Sequence, residues 1–388
     1  MTRLFSSLLF KVLVAIILGI VFGTYLPESV NRIFATFNTL FGQFLGFAIP
    51  LIILGLIMPA IADLGRGAGK MLLYTTGIAY GFTLFSGFST YGIASAVFPP
   101  LLESHISASE AITDPTPELA SYFSIAIPPV IDVMSALALS FIVGLGLSFQ
   151  TGSRLKAVVV DFQKIIMQLI ERVIVPLLPL FILGIFAEMA FTGRVFGILT
   201  VFLNIAGVIF VMHVLLLLLQ YLIAGVVVQK NPLRLLVTMM PAYFTALGTQ
   251  SSAATIPVTL LQAGKLGVSD KVAGFVIPLC ATIHLSGSIM KITACAFALM
   301  VLEGMPNGLG VFGGFIPMLG IAMVAAPGVP GGAIMAAIGL LQTMLGFNEE
   351  MTGLMIALYI AMDSFGTACN VTGDGAIALL VDRIAGKE

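Results

Sequence analysis

Charge is what this chain has least of. Only 9% of its 388 residues are Asp, Glu, Lys or Arg, against roughly 25% in a soluble domain of ordinary composition. That scarcity excludes a water-solvated globule of this length. The formal net charge of −1 says nothing about partners by itself, and no nucleic-acid partner is expected. Cysteine is scarce too. Cys280, Cys295 and Cys369 all fall in apolar segments, and an odd count without a secreted framework excludes a disulfide scaffold, so they read as free thiols used as small hydrophobes. No cluster of His and Cys has metal-ligand spacing, and there is no Walker-type loop or nucleotide fingerprint. No enzyme and no cofactor is expected, and ATP does not drive whatever the chain does. Period-2 alternation is absent as well, which excludes a membrane β-barrel.

What is present is apolar. Hydrophobic residues make up 59% of the chain, and mean hydropathy is +1.13. Apolar segments run at 9–27, 36–62, 70–99, 124–149, 157–191, 196–228, 270–302 and 351–384. Most are long enough to cross a bilayer, which takes about 20 residues. The chain therefore reads as an all-α polytopic membrane protein. The N-terminal run lacks a small-x-small cleavage site and reads as a retained first helix. The stretch 100–121, rich in Pro, Ser and Glu, reads as a solvated loop.

Two further stretches are apolar but interrupted. Residues 234–265 contain GTQSSAATIP, and 308–346 contain APGVPGGA. Each has two short apolar arms around a tip that cannot be regular helix. Irregular backbone at membrane depth is tolerated only where protein or a cavity surrounds it. Two such segments, each followed by a full helix, predict re-entrant helical hairpins in an inverted-repeat carrier with its site at the tips. The other reading is a pair of ordinary helices kinked at Pro. The basic residues fit an arrangement of eight transmembrane helices plus two re-entrant hairpins, in the cell (inner) membrane, with both termini cytoplasmic. Arg3, Lys11, Arg66, Lys70, Arg154 and most of the other basic residues then lie inside, while Arg32 and Arg194 fall outside.

The last segment holds the strongest functional signal. Asp363, Thr367, Asn370 and Asp374 recur at helical spacing and form one polar stripe on an otherwise apolar helix. Ionisable groups inside a span face a partner or a cavity, whereas helix-packing glue needs only one or two polar groups. Asp363 suits an ammonium, Thr367 and Asn370 suit a carboxylate, and Asp374 suits a cation or a proton. Together they would hold a zwitterion with a coupling ion.

Four motifs in order, LGRGAGK at 64–70, SSAATIP at 251–257, GVPGG at 328–332 and NVTGD at 370–374, make the chain resemble the dicarboxylate/amino acid:cation symporter family. These are the glutamate-transporter homologues, which include neutral amino-acid exchangers. The resemblance implies an elevator-type homotrimer. It divides the chain into scaffold helices at 1–62, a third helix at 63–99 in the transport domain, scaffold with the outer loop at 100–192, and the rest of the transport domain at 193–388. It places substrate against Ser251, Ser252 and Ser288, against Gly328 and Val329, and against Asp363, Gly366, Thr367 and Asn370. Asp374 and Asn370 would then hold sodium.

Departures from the family pattern shape the rest. Members carrying acidic substrates have an arginine at the position of Gly366, or at that of Gln250. Without a guanidinium to grip a side-chain carboxylate, a neutral amino acid is expected, with room above Gly366 for its side chain. The family's Asn-Met-Asp-Gly-Thr run stands here as HLSGS at 284–288, with Ser286 in place of the carboxylate, and Ile78 and Ala79 replace hydroxyl ligands near Thr75. One sodium site is therefore expected to be lost. Lys291 lies on the face of His284 and Ser288. Either its ammonium replaces the lost cation by pairing with Asp374 or Asp363, or it snorkels to an interface. His284 either takes part in proton coupling or is a hydrogen-bonded core histidine. Asp132 reads as a helix-start acid, and His213 as hydrogen-bonded locally.

The expected function is secondary active transport, by symport or exchange, of small neutral amino acids coupled to sodium or a proton. The alternatives are a dicarboxylate or acidic amino-acid symporter and, from another class, a channel or a non-transporting membrane receptor.

Overall fold

The computed structural model describes residues 8–64, 69–110, 119–150, 152–193, 195–328 and 330–385. Val329, most of the LGRGAGK motif and the centre of the stretch expected as an outer loop lie outside the described residues. Those described form helices and connections, with no strand among them.

The first group is α1 (Leu8–Tyr25), α2 (Glu28–Leu64), α4 (Val133–Ser148), α5 (Arg154–Leu169) and α6 (Val175–Phe191), the last two joined through a π-helical turn at Ile170–Ile174. α1 lies along α6, and α2 packs on α4, α5 and α6. Glycines permit the closest approach. A Cβ on Gly19 would stand 2.5 Å from the Leu183 carbonyl oxygen, and one on Gly23 would collide with that of Ala187. Small residues four apart bring membrane helices into backbone contact in this way. Asp132 caps α4, accepting a hydrogen bond from the Ser135 amide at 2.9 Å. The bonds from Ser135 pull its carboxyl below the usual range.

Next comes α3 (Gly69–Glu110), which packs on α11 (Ser286–Leu302). The helix continues through Pro99 and Pro100, so the loop expected from residue 100 begins at least ten residues later. Phe98 and Leu102, one turn apart and both fully buried, anchor that turn in the core and hold it helical despite the missing N–H donors. The chain returns at 119–132 along α2, where the Arg32 Nε–H donates to the Ala120 carbonyl at 2.9 Å.

The remaining helices follow, most of them packed on α15 (Asp363–Ala385). They are α7 (Val195–Val228), α8 (Pro232–Thr249), α9 (Ser252–Leu266), α10 (Asp270–Ile283), α11, α12 (Leu309–Val324), α13 (Gly332–Leu345) and α14 (Glu349–Ala361). α8 and α9 are packed on one another, as are α12 and α13, so both interrupted stretches are helical hairpins and neither is a single kinked helix. Gln250 in the left-handed region (φ 54°) turns the first. Pro327, Pro330 and Gly331 (φ 74°) break the second. The segment expected as one helix over 351–384 is also broken, with α14 and α15 meeting at 59° at Met362. Neither Pro nor Gly stands at this bend. The Met362 carbonyl accepts from the Gly366 amide at 3.2 Å, and Lys291 Nζ reaches the same oxygen at 3.5 Å.

Five stretches are long and apolar enough to cross a membrane among the described residues, at 8–25, 28–62, 154–191, 201–228 and 270–302, and the bent pair α14–α15 makes a sixth if counted as one span. On α7, Leu203, Val211, Leu215, Leu222 and Val226 are all exposed. Their spacing of seven, eight or four residues lines one helix face with large apolar side chains, which water would not tolerate and lipid does.

Candidate functional site

α15 turns its polar stripe toward the junction between α10 and α11. The junction is irregular because His284 (φ −102°, ψ 96°) and Leu285 (φ −121°, ψ 42°) leave the helical region. The first amides of α11 therefore lack intrahelical partners. Asn370 supplies one: its Oδ1 accepts from the Gly287 amide at 2.7 Å, while its Nδ2 donates to Ser288 Oγ at 3.1 Å. Tyr359 Oη also donates to Ser288 Oγ at 3.1 Å. Ser86 on α3 donates to the Ser286 carbonyl at 2.7 Å.

Two acid–base pairs flank this amide. At one end, Lys291 Nζ lies 3.0 Å from Asp363 Oδ1, with exposures of 0% and 5% for the two side chains. The same ammonium stands 3.7 Å from the centroid of the Tyr359 ring, a cation–π contact strengthened by burial. The snorkelling reading of Lys291 is thereby excluded, and of its two candidate partners it takes Asp363. Asp363 Oδ2 accepts from the Gly331 amide at 2.9 Å, which ties the start of α15 to the tip of the second hairpin. At the other end, His284 Nδ1 lies 2.9 Å from Asp374 Oδ1, both almost completely buried. His284 Nε2 faces Gln220 Nε2 of α7 at 3.3 Å. His284 thus bridges Asp374 on α15 and Gln220 on α7.

The hairpin tips meet each other. Ser251 Oγ donates to the Gly328 carbonyl at 2.8 Å and also caps α9 by accepting from the Ala254 amide. Gln250 Nε2 donates to Ser364 Oγ at 2.8 Å, so the first tip reaches the start of α15 as well. Ser252 is buried behind it. The structure thus gathers Ser251, Gly328 and Asp363 at one end of the site and His284 and Asp374 at the other, with Ser288 and Asn370 between. Thr367 lies one turn beyond Asp363 and is buried.

One expectation fails here. Gly366 was expected to leave room for a substrate side chain, but a Cβ built on it would come within 2.6 Å of Lys291 Nζ. The lysine already fills that space. His213 also differs, since its Nε2 bonds the Gly287 carbonyl at 3.0 Å across 74 positions and not a local group. The sequence reading passed over Gln220 and Tyr359. Their signal was chemical isolation: a lone amide in the run LLLLLQYLI and a lone phenol in LMIALYIAM.

One Asp374 oxygen lies 2.9 Å from His284 Nδ1, a contact that a cation on that oxygen would displace. No group of three or more His, Cys, Asp or Glu side chains is gathered for a metal among the described residues.

Comparison with known proteins follows the same line. Residues 8–384 match the profile of the sodium:dicarboxylate symporter family. Serine/threonine transporters SstT from three strains of Acinetobacter baumannii are each 28% identical over 397 aligned positions, covering 97% of this chain and 96% of the relative.

Proposed function

The chain belongs to the sodium:dicarboxylate symporter family, and from that premise we propose that it is a secondary transporter of small neutral amino acids, with serine and threonine as the first candidates. The family is one of membrane carriers and not of enzymes. The observation that supports this reading best is the position of Asp363. A buried carboxylate stands where the second hairpin tip meets the last helix, one hydrogen bond from Gly331, with the first tip resting on Gly328. A substrate ammonium would take Asp363, and its carboxylate would take Thr367, Asn370 and the amides of the tips. Ser251, Ser252, Gly328 and Val329 would close over it. The substrates named for the SstT relatives are neutral, in keeping with the missing arginine.

Coupling would run through the other end of the stripe. The Asp374–His284 pair would do the work of one cation site, either by carrying a proton or by yielding Asp374 and Asn370 to sodium. α3 and α4 would complete eight spans, with α8–α9 and α12–α13 as re-entrant hairpins and both termini in the cytoplasm. α1, α2 and α4–α6 would form the scaffold of a homotrimer, against which the remaining helices move like an elevator. The closest packing of α1, α2 and α4–α6 is with one another, which supports that division.

A second reading, an acidic amino-acid or dicarboxylate carrier, has one observation in its favour: Lys291 puts a cation in the space above Gly366. Its charge is already matched by Asp363, so a substrate carboxylate would have to take it from there. Uptake of labelled serine into proteoliposomes, with threonine, alanine and aspartate as competitors, separates the two. Competition by threonine and not by aspartate supports the neutral reading, and the reverse order discards it. Repeating the assay without sodium, under an imposed proton gradient, tests the coupling: full uptake supports the proton, and strict sodium dependence removes it.

A further inference from the structure

The Lys291–Asp363 pair raises a question about the empty carrier. Resting on the reading above, in which Asp363 receives the substrate's ammonium, the acid faces two situations. With substrate bound it is neutralised from outside. With the site vacant, a closed tip would trap a bare carboxylate in a dry interior, and an unpaired buried charge opposes closure strongly. A carrier built so would cross the membrane only when loaded and would exchange one substrate for another without net uptake.

This chain holds a cation of its own at that place. Lys291 reaches Asp363 Oδ1 at 3.0 Å while Gly331 of the closed tip holds Oδ2 at 2.9 Å, and the tips are in contact through Ser251 and Gly328. The lysine and the tip amide thus hold the two oxygens of one carboxylate at the same time, so contact with the tip and internal neutralisation are compatible. Lys291 also has a second seat, since the Tyr359 ring and the Met362 carbonyl flank its ammonium. A substrate ammonium arriving at Asp363 displaces the lysine onto groups it already touches and not into vacant apolar space. Gly366 makes the exchange feasible sterically, because any larger residue would occupy the space of the lysine's end. We propose that Lys291 is a tethered stand-in for the substrate's amine, which neutralises Asp363 in the empty carrier, lets the tip close without substrate, and so permits net uptake where exchange alone would otherwise occur.

The test is the ratio of two rates in proteoliposomes of the full chain: labelled serine entering empty vesicles, and labelled serine exchanging into vesicles preloaded with unlabelled serine. The wild type is compared with Lys291→Met, Lys291→Gln and Lys291→Arg. The two neutral variants are expected to lower the ratio of net uptake to exchange at least tenfold, and Lys291→Arg, which keeps the charge, to hold it within about threefold of wild type. Using two neutral variants of different polarity keeps the test alive if one of them is not monodisperse in detergent. A ratio that stays level across all four proteins overturns the proposal, even if absolute rates fall. Wild-type protein that neither takes up nor exchanges serine or threonine overturns the carrier reading itself, and the inference with it.

Discussion

Asp363 is held by two groups at once, an ammonium and a tip amide, and its substitution therefore has separable consequences. Asp363→Asn leaves Lys291 buried beside a neutral amide. Removing one partner of a buried pair costs about 3–5 kcal/mol, whereas replacing both by apolar groups of similar size is often neutral. The single variant is thus expected to lose that much stability, and the double variant Asp363→Asn/Lys291→Met to recover a large part of it while remaining unable to take up serine. Thermal unfolding in detergent reads the first effect and proteoliposome uptake the second. Equal stability in the single and double variants would mean that the pair is not coupled. The polar stripe from Asp363 to Asp374 was legible because acids on an apolar helix are expensive and helical spacing gathers them on one face. What they face was not legible. Their partners His284 and Lys291 stand 90 and 72 positions earlier in the chain, and spacing within one helix carries no information about which neighbour fills the space above a glycine.

At the scale of elements, the interruptions announced themselves through residue type, and their geometry follows from it. Gly331 sits at φ 74° and Pro327 and Pro330 lack amide donors, so the arms of the second hairpin had to end there. The bend at Met362 was invisible because neither Pro nor Gly marks it and only tertiary contacts, Lys291 Nζ at 3.5 Å among them, surround it. The continuation of α3 past residue 100 was missed for a related reason, since Leu102 earns its place by tertiary burial and not by local pattern. Tip mobility is testable through Ser252, which lies at the start of α9 beneath the contact between Ser251 and Gly328. Ser252→Cys is expected to react slowly with a polar thiol reagent, and saturating serine to slow it several-fold further, because the native thiols are buried and access requires the tips to part. A labelling rate indifferent to substrate would favour a channel. Gly23 offers a purely structural counterpart on α1. Gly23→Val drives a branched side chain into the Ala187 carbonyl of α6, and overpacking of this kind costs about 1–3 kcal/mol. A lower unfolding temperature is expected, and an unchanged one would show that α1 can move off α6 freely.

At the scale of the whole molecule, the proposed division into scaffold and moving body makes one contact decisive. α13, the second arm of the second hairpin, packs on α2 of the first group. There the approach is close enough that a Cβ on Gly339 would stand 2.5 Å from Ile49 Cγ2. Both positions are buried, and paired cysteines there fall within the short range that a disulfide requires. Ile49→Cys/Gly339→Cys is therefore expected to cross-link readily under oxidation. If the hairpin travels with the body that carries substrate, a covalent bond between α13 and α2 holds that body at one side of the membrane. Serine binding to the cross-linked protein should persist within about threefold of the reduced protein, because Asp363, Thr367 and Asn370 lie on α15 and are not tethered. Net uptake and exchange should both stop, and a reductant should restore both. Binding and transport respond differently only when translocation requires relative motion of the two groups. A cross-linked carrier that moves serine as fast as its reduced form would show instead that the scaffold and the site travel together, and that access alternates by tip movement alone.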